Sequence, residues 1–127
     1  MSYDVRLLGI LLDVEKNQRP RVVLVPNDIH AFHKILRFDD IDITRRAFGE
    51  KEFRVVADDI GYFRYIPKFS AYPSEKSFGL MPLVGNLLIF GMEDKFGEMT
   101  DLTDEDIELI LSNVEEHDGR YVFVNCD

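Results

Sequence analysis

Leu83-Val84-Gly85-Asn86-Leu87-Leu88-Ile89-Phe90-Gly91 decides how this chain is read. A continuous apolar run bounded by glycine is the pattern of one strand covered on both faces, because a half-exposed strand alternates apolar and polar residues. Such a strand needs a layer above it and a layer below it, and the rest of the chain has to provide them. Just downstream, Glu93-Asp94-Lys95-Phe96-Gly97 is a polar turn, and Thr103-Asp104-Glu105-Asp106 opens a helix. The threonine hydroxyl accepts from a first-turn amide there, and the acids oppose the helix dipole. The periodicity carries this helix through Ile107, Ile110, Leu111 and Val114 as its buried face, with Asp118-Gly119 closing it before a last strand from Tyr121 to Val124.

Upstream of the run, Tyr62 to Phe78 mixes aromatics with prolines and serines without a sustained period. It predicts a short strand near Phe63 to Ile66 and then a loop packed by its own aromatics. Before that, Asp40 to Thr44 and Phe53 to Ala57 flank Gly49-Glu50-Lys51 as a hairpin, ended by the turn Asp58-Asp59-Ile60-Gly61. Asn27 or Asp28 caps a helix ending near Leu36 or Arg37, with Ile29, Phe32, Ile35 and Leu36 on one face. Asp4 to Val14 and Arg21 to Val25, joined by a polar turn, form a first hairpin; Gly9 counts against a helix there. The expected fold class is α+β: one mixed, largely antiparallel sheet with two amphipathic helices mainly on one side, in a single globular domain over residues 1–127.

A chain of 127 residues with 46% hydrophobic content is long enough for one real core. Its net charge of -9 is uneven: residues 93–127 hold 12 acidic and 2 basic side chains, whereas residues 1–92 hold 12 acidic and 13 basic. No lysine and arginine cluster exists to displace phosphate counterions, so direct nucleic-acid binding is disfavoured. There is no apolar stretch of membrane-spanning length and no leader pattern at the N-terminus, which predicts a cytoplasmic protein that does not enter membranes. Cys126 is the single cysteine, which excludes an internal disulfide. So close to the C-terminus it reads as a solvated bystander rather than a nucleophile.

Five strings occur in order over about residues 39–116: Ile43-Thr44-Arg45-Arg46-Ala47-Phe48-Gly49, Asp58-Asp59-Ile60-Gly61, Pro67-Lys68-Phe69-Ser70-Ala71, Leu83-Val84-Gly85-Asn86-Leu87, and Thr100-Asp101-Leu102-Thr103-Asp104-Glu105-Asp106. In this the chain resembles a small family of phage and conjugative-element proteins, a domain of unknown function. The resemblance implies an accessory protein of a mobile element and brings no catalytic or binding residue with it.

Chemical signatures are sparse. Adjacent Asp58 and Asp59 point to opposite sides of a strand, so they read as turn residues rather than cation ligands. The glycine spacing in the acidic stretch Asp94 to Asp106 fails the calcium-loop pattern. His30 and His33 lie about 60° apart on the first helix without a third ligand nearby in sequence, so no metal is expected. No serine elbow, phosphate-cradling glycine loop or cysteine–histidine pair is present. The reading leans away from an enzyme and calls for no cofactor.

Two surfaces remain. Arg45, Arg46, Tyr65 and Lys68, with Arg64, mix cations and aromatics in a way that grips anionic or planar ligands; alternatively, the arginines pair across strands with Asp40, Asp42 or Glu52 and the aromatics fill the core. On the C-terminal helix, Asp104, Glu105, Glu108, Glu115 and Glu116 point outward and surround Leu109, a pattern suited to a protein partner with a basic surface. The leading expectation is a protein-binding accessory module, and the alternative is a small-ligand binder or enzyme using the arginine–aromatic group.

Overall fold

The computed structural model describes residues 5–64 and 66–127. In chain order the elements are β1 (Arg6–Leu12), β2 (Arg21–Pro26), α1 (Ile29–Leu36), β3 (Ile41–Phe48), β4 (Lys51–Asp58), β5 (Phe69–Ala71), β6 (Leu83–Val84), β7 (Leu87–Gly91), α2 (Asp104–Leu111), β8 (Val114–His117) and β9 (Arg120–Phe123). The class is α+β, but the strands form two sheets rather than one. The first has five strands in the order β2-β1-β7-β4-β3, every neighbouring pair antiparallel. The second has four in the order β6-β5-β9-β8, with β5 and β9 parallel.

The apolar run splits between them. Leu83–Val84 ends the second sheet, and Leu87–Gly91 is the central strand of the first, buried at all five positions. Between them Gly85 takes a left-handed φ of +83°, which a side chain would strain. The buried Asn86 side chain holds the crossing at both ends: its Oδ1 accepts from Val14 N at 2.9 Å and its Nδ2 donates to Leu36 O at 3.1 Å. Composition alone cannot show such a break, because every residue around it is apolar.

Period-two alternation then sorts the core into two layers. Leu87 and Ile89, with Ile10, Leu12, Phe53 and Val55, face one side, where Ile110 of α2 and Phe123 of β9 cover them. Leu88 and Phe90, with Leu7, Leu11, Val25 and Val56, face the other, under Phe32 and Leu36 of α1. The helices therefore lie on opposite faces of the five-stranded sheet, not on one. Phe32 sits 5.7 Å from Phe90 on one side, and Phe48 sits 5.7 Å edge-on from Phe123 on the other, both favourable aromatic spacings.

Local expectations hold at the helix starts. Asp28 caps α1 by accepting from His30 N, and Thr103 and Asp106 form a reciprocal capping box on α2. Ile29, expected on the buried face of α1, is exposed because the helix rests on the sheet through Phe32 and Leu36. The C-terminal helix stops at Leu111. Val114, Glu115 and Glu116 belong to β8, and Asp118-Gly119 is the two-residue turn of the β8–β9 hairpin, with φ of 52° and 78°. That dipeptide between alternating residues is a hairpin signal, and it outweighs the weak helical period around it. No strand forms from Phe63 to Ile66 among the described residues: a short 3-10 turn spans Gly61–Phe63, and Tyr65 lies outside them. Cys126 is 1% exposed rather than solvated, since the C-terminus bridges to β3 at Phe48.

Candidate functional site

Two loops beside β6 make the most unusual surface. At the end of β4, the Asp58 carboxylate accepts from Ile60 N at 3.1 Å and from Arg64 Nε and Nη2 at 2.8 and 3.2 Å, folding residues 58–64 into a closed turn. This is the turn role expected of Asp58. Gly61 lies against Val84 so closely that a Cβ would stand 2.8 Å from the valine Cβ, so only glycine fits. The Tyr62 hydroxyl donates to Pro82 O and ties this turn to the loop ahead of β6. Burial raises the Tyr62 pKa, and the nearby Arg46 opposes that rise. Arg46 is itself buried and anchors the same loop from below, donating to Met81 O at 2.7 Å and to Cys126 O at 3.2 Å.

The polar groups thus bind the loops from beneath while large apolar side chains face water. Phe63 is 87% exposed and Phe78 is 100% exposed, and Tyr62, Ile66, Leu80 and Met81 are exposed with them. The aromatics of this segment therefore do not all pack the loop. Tyr62, Phe69 and Tyr72 do stack in series at 6.0 and 6.1 Å, forming the floor. Single exposed apolar residues are ordinary, whereas six on two loops that are bonded together are uncommon.

Next to this surface opens a cleft of about 510 Å³ between the end of α1, the end of β4 and the crossing from β6 to β7. Leu36, Phe38, Ile66, Pro67 and Val84 give it apolar walls, and Lys16, Arg37, Arg64 and Lys68 add cations. Arg64 is held by Asp58 at 2.8 Å, Lys68 by Glu15 at 3.1 Å, and Arg37 by the buried Asp13 at 2.8 Å. The hydrogen bond to Asp58 is the main cause that raises the Arg64 pKa, so this cation stays charged throughout.

The expected ligand residues are not brought together. Strand alternation sends Arg45 and Arg46 to opposite faces of β3: Arg45 is exposed and lies 3.4 Å from Glu52, whereas Arg46 is buried under the loop surface. Lys68 reaches the cleft, Arg45 and Arg46 do not line it, and Tyr65 lies outside the described residues. The cross-strand pairing of Arg45 with Glu52 is the alternative weighed for it.

The expected partner face is also rearranged. Glu105 and Glu108 are exposed on α2, but Glu116 is exposed on β8, an edge strand. Leu109 does not point outward: it packs on the core, with its Cδ1 4.0 Å from the position of a Cβ on Gly49. Asp106 is buried and salt-bridged to Lys51. His33 Nδ1 lies 2.9 Å from Phe38 O, and among the described residues no cluster of three or more histidine, cysteine or carboxylate groups is placed to hold a metal. Sequence reasoning missed Phe78, Leu80 and Met81 as a surface; their only signal was apolar residues in a segment without a period. No helix among the described residues is long and apolar enough to cross a membrane. In comparisons with known proteins, no family model matches the chain, and no curated protein or solved structure matches it either.

Proposed function

We propose that this chain is a small acidic accessory module that acts by binding another protein in the cytoplasm, in keeping with its resemblance to proteins of phages and conjugative elements. The observation that carries the reading is the apolar surface of Tyr62, Phe63, Ile66, Phe78, Leu80 and Met81, exposed on two loops fixed from below by Arg46 and by the Tyr62–Pro82 bond. A large exposed aromatic on a held backbone loses little freedom on docking and buries much area, which is how interface anchors work. The acids of β8 sit on the edge strand of the second sheet opposite β6, and those of α2 lie on the helix just before it in the chain. Their field favours a partner with a basic surface by speeding encounter and setting orientation, while the apolar loops hold the contact. The test is capture of partners from the native host by tagged protein. Phe63→Ser with Phe78→Ser is expected to abolish capture without changing the unfolding midpoint, and undiminished capture would refute the reading.

A second reading, a binder of a small anionic ligand, is favoured by the cleft that holds Arg64 and Lys68 against apolar walls. Each of those cations already faces a carboxylate, so a ligand has to compete with Asp58 and Glu15. That competition ranks it second.

A further inference from the structure

Strand β2 is an outer edge of the five-stranded sheet. Asn27 N donates to Val5 O at 2.8 Å, so odd-numbered residues of β1 and even more so their partners Val25, Val23 and Arg21 on β2 exchange the ladder hydrogen bonds. On β1 the even-numbered Leu8 turns its amide and carbonyl the other way, to Asp101 Oδ1 at 2.8 Å and Leu102 N at 3.0 Å, as antiparallel alternation requires. On β2 the same alternation leaves the amides and carbonyls of Val22 and Leu24 directed off the sheet edge. Pro20 and Pro26 bracket them and offer no amide. Val22 and Leu24 are also 43% and 57% exposed, an apolar centre to an edge whose one charge, Arg21, lies at its end. Natural edges are usually guarded by charge, proline or a bulge; here Arg21 and the two prolines stand only at the ends and leave Val22 to Leu24 open.

We infer that β2 is the contact between two copies of this chain, paired antiparallel about a two-fold axis at Val23. In that register Val22 faces Leu24 of the partner subunit, and each exchanges both backbone hydrogen bonds with the other. The four outward amides and carbonyls of Val22 and Leu24 are used, and these side chains meet cross-strand on one face. Pro20 falls opposite Pro26, and the shared ladder ends there, since neither ring offers an amide and the two carbonyls turn to water. Charge agrees with the register. Arg21 is exposed at one end of the strand. At the other end a cleft of about 610 Å³ is lined by Asp28, Asp94 and Glu98, with Glu98 Oε2 accepting from Asn27 Nδ2 at 2.9 Å. The two-fold axis lays Arg21 of each strand toward the end of the other that holds Asp28, Asp94 and Glu98, where the exposed Arg6 on β1 is outnumbered by these acids, twice. The five-stranded sheets then run on into one. The contact is shorter than standard interfaces, so the dimer forms at high protein concentration.

Sedimentation velocity over a concentration series reaching hundreds of micromolar tests this. Wild type is expected to shift from monomer to dimer. Leu24→Pro removes an amide that the chain's own ladder does not use, and Leu24→Lys changes a side chain already in water; both are expected to stay folded by circular dichroism and monomeric throughout. Arg21→Glu is expected to weaken association by about tenfold, as reversing a rim charge used twice should, and adding Glu98→Lys to the same chain is expected to restore it. A wild type that stays monomeric, including one whose edge takes only a foreign strand, overturns the inference. So does a dimer indifferent to both Leu24 variants, or a charge swap that restores nothing.

Discussion

Asn86→Ala tests the crossing between the two sheets. Asn86 is 5% exposed, and its amide satisfies two backbone groups 50 and 72 residues away in sequence, Leu36 O and Val14 N. Truncation orphans a buried donor and a buried acceptor at once, each worth about 1–3 kcal/mol when left unmade. The expected loss is therefore about 2–5 kcal/mol, a large part of the ~5–15 kcal/mol that holds a domain of this size together. Equilibrium urea unfolding reads it directly: the midpoint falls and the slope is unchanged, because the surface exposed on unfolding is the same. Asn86→Asp keeps the acceptor for Val14 N but sets a buried carboxylate against Leu36 O. It should lose at least as much at neutral pH and recover part of the loss in acid, where a protonated carboxyl can donate. A loss below about 1 kcal/mol for Asn86→Ala, typical of a surface change, would refute the argument that this side chain fixes the crossing.

Leu87→Ala removes a fully buried side chain from the central strand and should cost about 2–5 kcal/mol by denaturation. Burial raises the Asp106 pKa, but bonds from Lys51 and Thr103 outweigh it and hold the carboxyl below its ordinary 3.8. A depressed folded pKa contributes stability above the unfolded value and loses it as pH falls through the folded one. Asp106→Asn should thus be less stable than wild type at neutral pH, with the gap closing below pH 3.8; a gap constant across a pH series of melts would count against it. Desolvation by burial, opposed by Arg46, pushes the Cys126 thiol up to about 12, so it should resist thiol reagents at pH 8 in the folded protein and react once urea unfolds the chain. With its acidic C-terminal quarter and no basic stripe, the protein should give no gel shift with a generic duplex at physiological salt.

What was legible in the sequence was local. The Thr103 cap, the Asp28 cap, the two hairpins and the two-faced burial of Leu87 to Gly91 each rest on a short-range pattern that the chemistry of neighbouring residues settles. What escaped was decided at long range. The break at Gly85-Asn86 depends on backbone groups of Val14 and Leu36, and the end of α2 depends on β8 finding β9. Arg45 and Arg46 of the arginine–aromatic group do not come together because adjacent strand residues face opposite ways, a rule visible in Arg45-Arg46 once the segment is read as strand beyond Thr44. Leu109 was set on an outer face by extrapolating a helix that ends two residues later, when the tip of the β3–β4 hairpin at Gly49 in fact covers it. The exposed loop residues had no period to mark them, because their conformation is imposed by Arg46, Asp58 and Pro82 rather than by their own pattern.

The most direct measurement places a benzophenone side chain at Phe78 in one variant and at Glu105 in another, then irradiates each in the native host and looks for covalent adducts. Both positions are exposed, so neither substitution disturbs the core. Docking through the loops predicts a discrete adduct with a host or mobile-element protein from Phe78 and none from Glu105. An adduct from Glu105 alone would contradict it and return the contact to the acidic helix.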